Sequence, residues 1–493
     1  MIFIQNALVL TPSGEGQPLD VLVDGGTIAD VVRRGSLNSE GMERVDAAGR
    51  ALMPGLVNGH NHAQTGLSKG LFDRFNLETY LNAQPGVSGR RTLEDKHLSA
   101  LIGAAEMVRK GCTAGYDMFA EFPLPTAEGV EAVARAYSEA GMRAAIAPMM
   151  ADRTFYEAIP GLAEALPEPL RSQALKARYS PYPETLSSVR NLLNHWKFDR
   201  ESIKPALGPT IPHHCSDEFL VACRDLAGEL GLGIQMHVAE SKLQAAVAPK
   251  IYGKSLVAHL HELRLLNPKF CVAHGVWLDD DDRKRLADAG ASISHNPGSN
   301  LKLGSGIADM RAMLARGLNV AIGTDGAASA DNLNAFEAMR LACYLSRVKG
   351  NPPERWVNAR EALHAATEGG AKALGFDKLG RIEKGWKADL VLLDLGALHY
   401  IPLNDLASQI VFAEDGTGVE SVMIGGRWVM RGRKLLTVDV ESLRRKAEEA
   451  VARLRSANAE ARALGEKLHP YVGHFCAGLS AASASGGQGA AHS

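Results

Sequence analysis

The sequence predicts an α/β protein: a (β/α)8 TIM barrel carrying a small β-sandwich-like domain built from both chain ends. Three observations lead there. Eight short apolar, β-leaning runs lie between residues 55 and 325, and helical patterns separate most of them. The strand-and-turn character of residues 1–53 returns at residues 385–435. Strands alternating with helices imply parallel βαβ units, and eight such units imply a closed barrel.

The elements follow in order. Runs at 3–10, 20–23, 27–32 and 45–47 open the chain as short strands. The eight barrel runs are 55–62, 111–118, 142–149, 203–210, 232–240, 270–276, 291–297 and 319–325. Helical patterns fall at 92–110, 129–140, 217–231, 254–265, 279–289 and 307–316. Thr92 with Asp95 three residues on, and Ser216 before Asp217 and Glu218, are helix caps, because their oxygens satisfy first-turn N–H groups. Runs 388–393, 419–424 and 427–430 pair with the N-terminal ones. This divides the chain into a β-domain (1–53 and 385–435), a barrel (54–384) and a helical extension (436–475). Within the extension, residues 441–468 are charged and Ala-rich, as in a surface helix. Residues 476–493 end in AASASGGQGAAHS, a low-complexity composition that predicts a disordered tail.

A length of 493 residues suits a barrel with an appended domain, and an apolar fraction of 46% can bury its core. The net charge of −2 creates no basic field, so neither nucleic acid nor anionic membrane is expected as a partner. No run approaches the roughly 18 apolar residues of a membrane span. The opening MIFIQNALVL lacks a basic n-region and reads as a strand. Cys112, Cys215, Cys223, Cys271, Cys343 and Cys476 show no CxxC spacing, which fits reduced thiols in a cytoplasmic protein. Phosphate-loop and HExxH motifs are absent, as is the HxE…PCxxC signature of cytidine-type zinc deaminases.

Chemistry is carried by position. His60 and His62 close the first barrel run, His237 and Glu240 the fifth, His274 the sixth, His295 the seventh and Asp325 the eighth. All C-terminal strand ends of such a barrel open on one face, so these seven residues converge on one mouth. Residues two apart on a strand share a face, which sends both imidazoles inward and turns Asn61 away. Imidazoles with a carboxylate form a nitrogen/oxygen donor set suited to Zn2+, with Fe2+ or Mn2+ as alternatives. An isolated HxH could equally be chance; three further strand ends of the same kind decide against that. Asp279–Asp282 reads as a helix N-terminus matched to its dipole, and His259 and His261 read as structural.

PGLVNGHNH (54–62), MHVAES (236–241), VAHG (272–275), SHNPGSNLKLGSG (294–306) and GTDGAAS (323–329) resemble the amidohydrolase superfamily. More narrowly they are similar to its single-metal aminohydrolase and chlorohydrolase branch. That branch holds S-adenosylhomocysteine/methylthioadenosine deaminases, guanine deaminases and triazine hydrolases. ATEGGAKALGFDKLGRIEKGWKADLVLLD (366–394) matches that branch's return to its small domain. The resemblance implies one divalent metal ion on His60, His62, His237 and Asp325, since no lysine stands where two-metal relatives carry a carbamylated bridge. It implies Glu240 as the proton shuttle, His274 as the group that holds the attacking oxygen, and Asp325 as acceptor of the water proton. His295 would face substrate or support the site. A homodimer or higher homo-oligomer is also implied.

The loop at 66–82 would cover the pocket, with Phe72, Phe75 and Tyr80 stacking on a flat ring and Arg74 meeting an anion; the same aromatics could instead anchor the loop. Thr210 stands where adenosine-type members carry a histidine, a role open to His213 or His214. Ser329, Asp331 and Asn332 read as caps of the next helix. The expected activity is hydrolytic deamination of a purine, pterin, pyrimidine or triazine. The alternatives are loss of chloride, alkylamine or thiol, cleavage of an amide or carbamate, and a non-catalytic structural relative.

Overall fold

A computed structural model describes residues 1–37 and 40–485. The N-terminal segment forms β1 (Ile2–Leu10), β2 (Gly16–Asp24), β3 (Thr27–Arg33), β4 (Glu43–Asp46) and β5 (Arg50–Pro54). The central region carries β6 (Leu56–Asn61), β7 (Cys112–Ala120), β8 (Arg143–Met150), β9 (Ile203–Pro205), β10 (Gly208–Pro209), β11 (Ile234–Val238), β12 (Phe270–His274), β13 (Ser292–His295) and β14 (Asn319–Ile322). The chain returns in β15 (Leu390–Asp394), β16 (Val419–Ile424), β17 (Arg427–Arg431) and β18 (Lys434–Leu435).

Both chain ends meet in one nine-stranded sheet, in the order β18-β17-β16-β15-β5-β1-β2-β3 with β4 on β1. Antiparallel pairing of β5 with β15, through Met53 opposite Val391, makes the junction. Alternating side chains separate two cores. Ala51, Met53, Val391 and Leu393 join the core shared with the central region. Leu52, Leu390, Leu392 and Met423 join a second core with Ile4, Val21 and Ile28.

The central strands run parallel, β6-β7-β8 with β9 and β10 on β8, then β11-β12-β13-β14. Main-chain bonds link the two groups: Leu207 N–H donates to Gly233 O (2.9 Å) and His237 N–H to Thr210 O (2.8 Å). At the other end, Asp325 N–H donates to His60 O at 2.9 Å. The run expected at 203–210 is therefore two short strands. Pro205 and Pro209 lack the N–H that a continuous ladder needs.

Helix Leu93–Arg109 starts on the Thr92/Asp95 capping box, and Ser216 caps helix Asp217–Leu230, as their sequences predict. The pattern at 254–265 shortens to helix Leu256–Glu262. Helices Tyr182–Asn194, Lys242–Tyr252 and Ala335–Val348 lie outside the expected patterns. The largest correction is at the C-terminus, where helix Ala459–Ser485 carries regular structure through residues 476–485 of the expected tail. Leu468, Val472 and Cys476, four residues apart, bury one stripe against Leu162, Leu166, Leu243 and Val247. Tertiary burial of that stripe outweighs the weak helix preference of the Gly- and Ser-rich sequence. Residues 486–493 of the expected tail lie outside the described residues. Among the described residues no helix is long and apolar enough to cross a membrane.

Candidate active site

Six of the seven strand-end residues, His60, His62, His237, Glu240, His274 and Asp325, come together, and His295 ends the strand beside that of His274. His60 lies within β6 and His62 just past it; His237 is in β11, with Glu240 two residues beyond the strand. His274 and His295 end β12 and β13, and Asp325 follows β14 after Gly323 and Thr324. His274 (φ 75°) and Asp325 (φ 61°) adopt the left-handed backbone. That conformation costs about 1–3 kcal/mol at a non-glycine residue, so the surrounding structure must hold it. The ring of His60 lies 4.7 Å from that of His62, 5.0 Å from His237 and 5.2 Å from His274, centroid to centroid. Asn61 points away, donating to Tyr116 O and accepting from Tyr137.

Each of these four imidazoles has its Nδ1 on an oxygen. His60 meets Gln235 Oε1 (2.8 Å), His62 meets Met118 O (2.6 Å), His237 meets Thr210 O (2.8 Å) and His274 meets Asn300 Oδ1 (2.9 Å). Carbonyl oxygens only accept, so each Nδ1 donates and each neutral ring keeps its lone pair on Nε2. Those Nε2 atoms converge. His62 Nε2 is 3.2 Å from His237 Nε2 and 3.2 Å from Asp325 Oδ1, while His60 Nε2 is 3.5 Å from the same oxygen. Burial opposes protonation of His62, but the facing Asp325 outweighs it and raises the ring above its usual range. A proton, or a metal cation in its place, relieves the repulsion of two lone pairs at 3.2 Å. Four ligands at about 2.0–2.2 Å in a tetrahedron stand about 3.3–3.6 Å apart, close to the three separations of 3.2, 3.2 and 3.5 Å. The donors suit a divalent cation, and among the described residues His60 belongs to both groups of metal-competent side chains, with His62 and His237 in one and with His274 and Asp325 in the other.

Electrostatics divide the groups by role. Burial pushes His274 down to about 3, so its ring is neutral, and its Nε2 has no hydrogen-bond partner among the described residues. Burial opposes ionisation of Asp325, but the facing His60 and His62 outweigh it and hold the carboxyl well below its usual range. Glu240 is 3% exposed and 3.7 Å from His274 Nε2. Burial, then the charges of Asp325 and Glu78, push it well above the usual carboxylate range, so it keeps a proton. Burial pushes His295 down to about 4, and neither of its ring nitrogens has a partner among the described residues.

The residues assigned to substrate are placed unequally. Phe72 and Tyr80 are buried edge to face (4.9 Å) in a cluster with Leu77, Leu303 and Ala328. Tyr80 lies close enough to Asp325 and Glu240 for both to oppose its ionisation. Arg74 is exposed. Thr210 is buried, and its carbonyl orients His237. His213 is buried with Nδ1 lacking a partner among the described residues. Asp279 caps helix Asp280–Asp288, and His259 bonds Asp217 at 2.9 Å, both as expected. Asn334 caps the helix after β14, while Asp331 instead receives Gly70 N–H and Lys302. Gln235, Asn300, Ser299 and Glu78 were not anticipated. Ser299 donates to Asp325 Oδ2 at 2.5 Å, and Glu78 accepts from Ser241 at 2.7 Å. Gln235 had a readable signal, since it precedes His237 by two on a strand and shares its face.

Residues 51–429 match the model described as the amidohydrolase family. A 5'-deoxyadenosine deaminase from Methanosarcina mazei is 34% identical over 465 residues, covering 92% of this chain and 99% of that relative. A 5-methylthioadenosine/S-adenosylhomocysteine deaminase from Syntrophobacter fumaroxidans is 32% identical, covering 90% of this chain and 95% of the relative. The crystal structure of a zinc-bound adenosine deaminase from Xanthomonas campestris superposes with a TM-score of 0.81 at 29% identity, covering 92% of this chain and 98% of that one.

Proposed function

This chain belongs to the amidohydrolase family, and from that premise we propose that it is a metal-dependent hydrolytic deaminase of an aminated N-heterocycle. The observation that carries the reading is the convergence of imidazole Nε2 atoms and Asp325 beside the protonated, buried Glu240. The proposal includes closure of the eight parallel segments into a (β/α)8 barrel, with the nine-stranded sheet as a separate small domain. The bonds from β10 to β11 and from Asp325 to His60 support closure. The six free, buried cysteines support a reducing, cytoplasmic setting.

One ion, expected to be Zn2+, would be held by His60, His62, His237 and Asp325. A divalent cation held there supplies Lewis-acid activation of water near neutral pH. Asp325, ionised and fixed by Ser299, accepts a proton from the attacking water. His274 Nε2, left as an acceptor by the Nδ1–H bond to Asn300, orients that water. Glu240 donates its proton to the ring nitrogen beside the attacked carbon, takes up the proton of the hydroxyl now on that carbon and passes it to the departing amine, and the proton held by Asp325 then restores Glu240. The balance is water in and ammonia out, with the ring carbon exchanging C–N for C–O. His295 and His213 offer unpartnered ring nitrogens to a heterocycle, and Phe72 and Tyr80 wall the loop above it.

The relatives named above deaminate adenosine derivatives, so an adenine-type amine is the first substrate to try. The test is ammonia release from 5'-deoxyadenosine, adenosine, guanine, pterins, cytosine and aminotriazines, before and after chelation. Release that stops on chelation and returns with Zn2+ supports the proposal. Release of chloride or alkylamine from a ring, with no ammonia from any compound, contradicts it.

A further inference from the structure

Gln235 is a completely buried polar side chain (0% exposed) on β11, outside the donor set and the proton path. Its amide can be oriented without ambiguity. One end lies 2.9 Å from Gly59 O, a pure acceptor, so that end is the NH2 group, Nε2. Nε2 also contacts the thiol of Cys271 at 3.4 Å. The other end, Oε1, therefore faces His60 Nδ1 at 2.8 Å. An amide oxygen cannot donate, so the proton sits on His60 Nδ1 and the lone pair on Nε2, the atom 3.5 Å from Asp325.

His60 differs from His62 and His237, the other two imidazoles of the proposed donor set, in what fixes it. His62 and His237 are oriented by the main-chain carbonyls of Met118 and Thr210, which no substitution removes. His60 depends on a replaceable side chain, itself held by main chain where space is tight. A Cβ at Gly59 would come within 2.7 Å of the Ala321 side chain and 2.8 Å of Ser294 Oγ. Such a bond to the distal nitrogen of a ligating imidazole sets tautomer, ring orientation and basicity, and its loss typically weakens metal binding about 10–100-fold.

We infer that Gln235 is a positioning residue: through Gly59 it is locked so that its oxygen sets the His60 tautomer, and with it the metal affinity of the site. This rests on the reading of His60 as a ligand. The experiment is zinc affinity of the full chain, by competition with a chromophoric chelator, for wild type, Gln235→Met, Gln235→Glu and Cys271→Ala. Gln235→Met keeps the volume but loses the acceptor, and should bind zinc about 10–100-fold more weakly. Gln235→Glu keeps an acceptor for His60 and should stand nearer wild type, while Cys271→Ala should match wild type.

A folded Gln235→Met within twofold of wild type overturns the inference, as does equal weakening in the Met and Glu variants, which would mark a packing role. Wild type that binds no zinc refutes the metal-centre reading itself, and the inference with it. Ring 15N shifts of the zinc-free wild type need no variant to fold: protonation of His60 on Nδ1 supports the assignment, and protonation on Nε2 overturns it.

Discussion

At Asp117 the interior accepts a carboxyl group with no cation bonded to it among the described residues. Tyr137 donates to Oδ2 at 2.5 Å and Ala63 N–H to Oδ1 at 3.0 Å, and burial pushes the group up to about 6. The folded value lies above the unfolded one, so the folded state holds the proton more tightly. Its contribution to stability is therefore present at low pH and lost as pH rises from about 4 through 6. Two units correspond to about 3 kcal/mol. In Asp117→Asn the amide can donate to the Tyr137 oxygen while that hydroxyl donates to Asn61. Chemical denaturation at pH 4 and pH 7 should show this segment of the stability profile flattened by about 3 kcal/mol; a profile parallel to wild type would contradict the assignment.

The same scale shows what could be read beforehand. The seven strand-end residues were legible because two-residue spacing and strand termini decide direction before any contact is known. Asn300 and Ser299 were not, although both belong to the SHNPGSN motif. Their roles depend on how the turn after β13 folds back on His274 and Asp325, which spacing does not encode.

Among the elements, the helix Leu77–Ala83 carries Tyr80, which lies near Asp325 and Glu240, and is fastened from several directions. Asn82 donates to Gly465 O at 2.9 Å and accepts from Tyr156 at 2.8 Å. Glu78 takes the Ser241 hydroxyl, next in sequence to Glu240. Phe75 meets His469 edge to face at 5.1 Å. The C-terminal helix is thus a strap across the loops after β6, β8 and β11. Leu468→Ala removes part of its buried stripe and should cost about 2–5 kcal/mol locally. Hydrogen exchange in residues 77–88 should accelerate while that of β12 stays unchanged; unaltered exchange in 77–88 would deny the strap its role. This helix was illegible past residue 475 because Gly- and Ser-rich composition argues for disorder. The deciding partners, Leu162 and Val247, are remote in sequence.

Across the whole molecule, the nine-stranded sheet is locked to the central region by a buried ion pair. Arg143, at the start of β8, bonds both oxygens of Asp389 (2.9 and 3.0 Å), and Gly425 N–H adds a third bond to that carboxylate. Removing one partner of such a pair strands a buried charge, at about 3–5 kcal/mol. Arg143→Met should lower stability by that amount, with Asp389→Asn in the same background recovering part of it; wild-type stability in Arg143→Met would refute the coupling. The pairing of the two chain ends in one sheet was legible from strand-like runs at both termini. The register of Met53 on Val391 and the break between β9 and β10 were not, because both depend on pairing across the fold.

The central claim joins all three scales: a cation site and a protonated glutamate act together to expel ammonia. Its most direct test is the ammonia release of Glu240→Gln loaded with zinc to the wild-type level, on the compound that wild type turns over fastest. Zinc content should be unchanged, because Glu240 lies outside the donor set, while the rate should fall about 10²–10⁴-fold. A variant with full zinc and a wild-type rate would contradict the account.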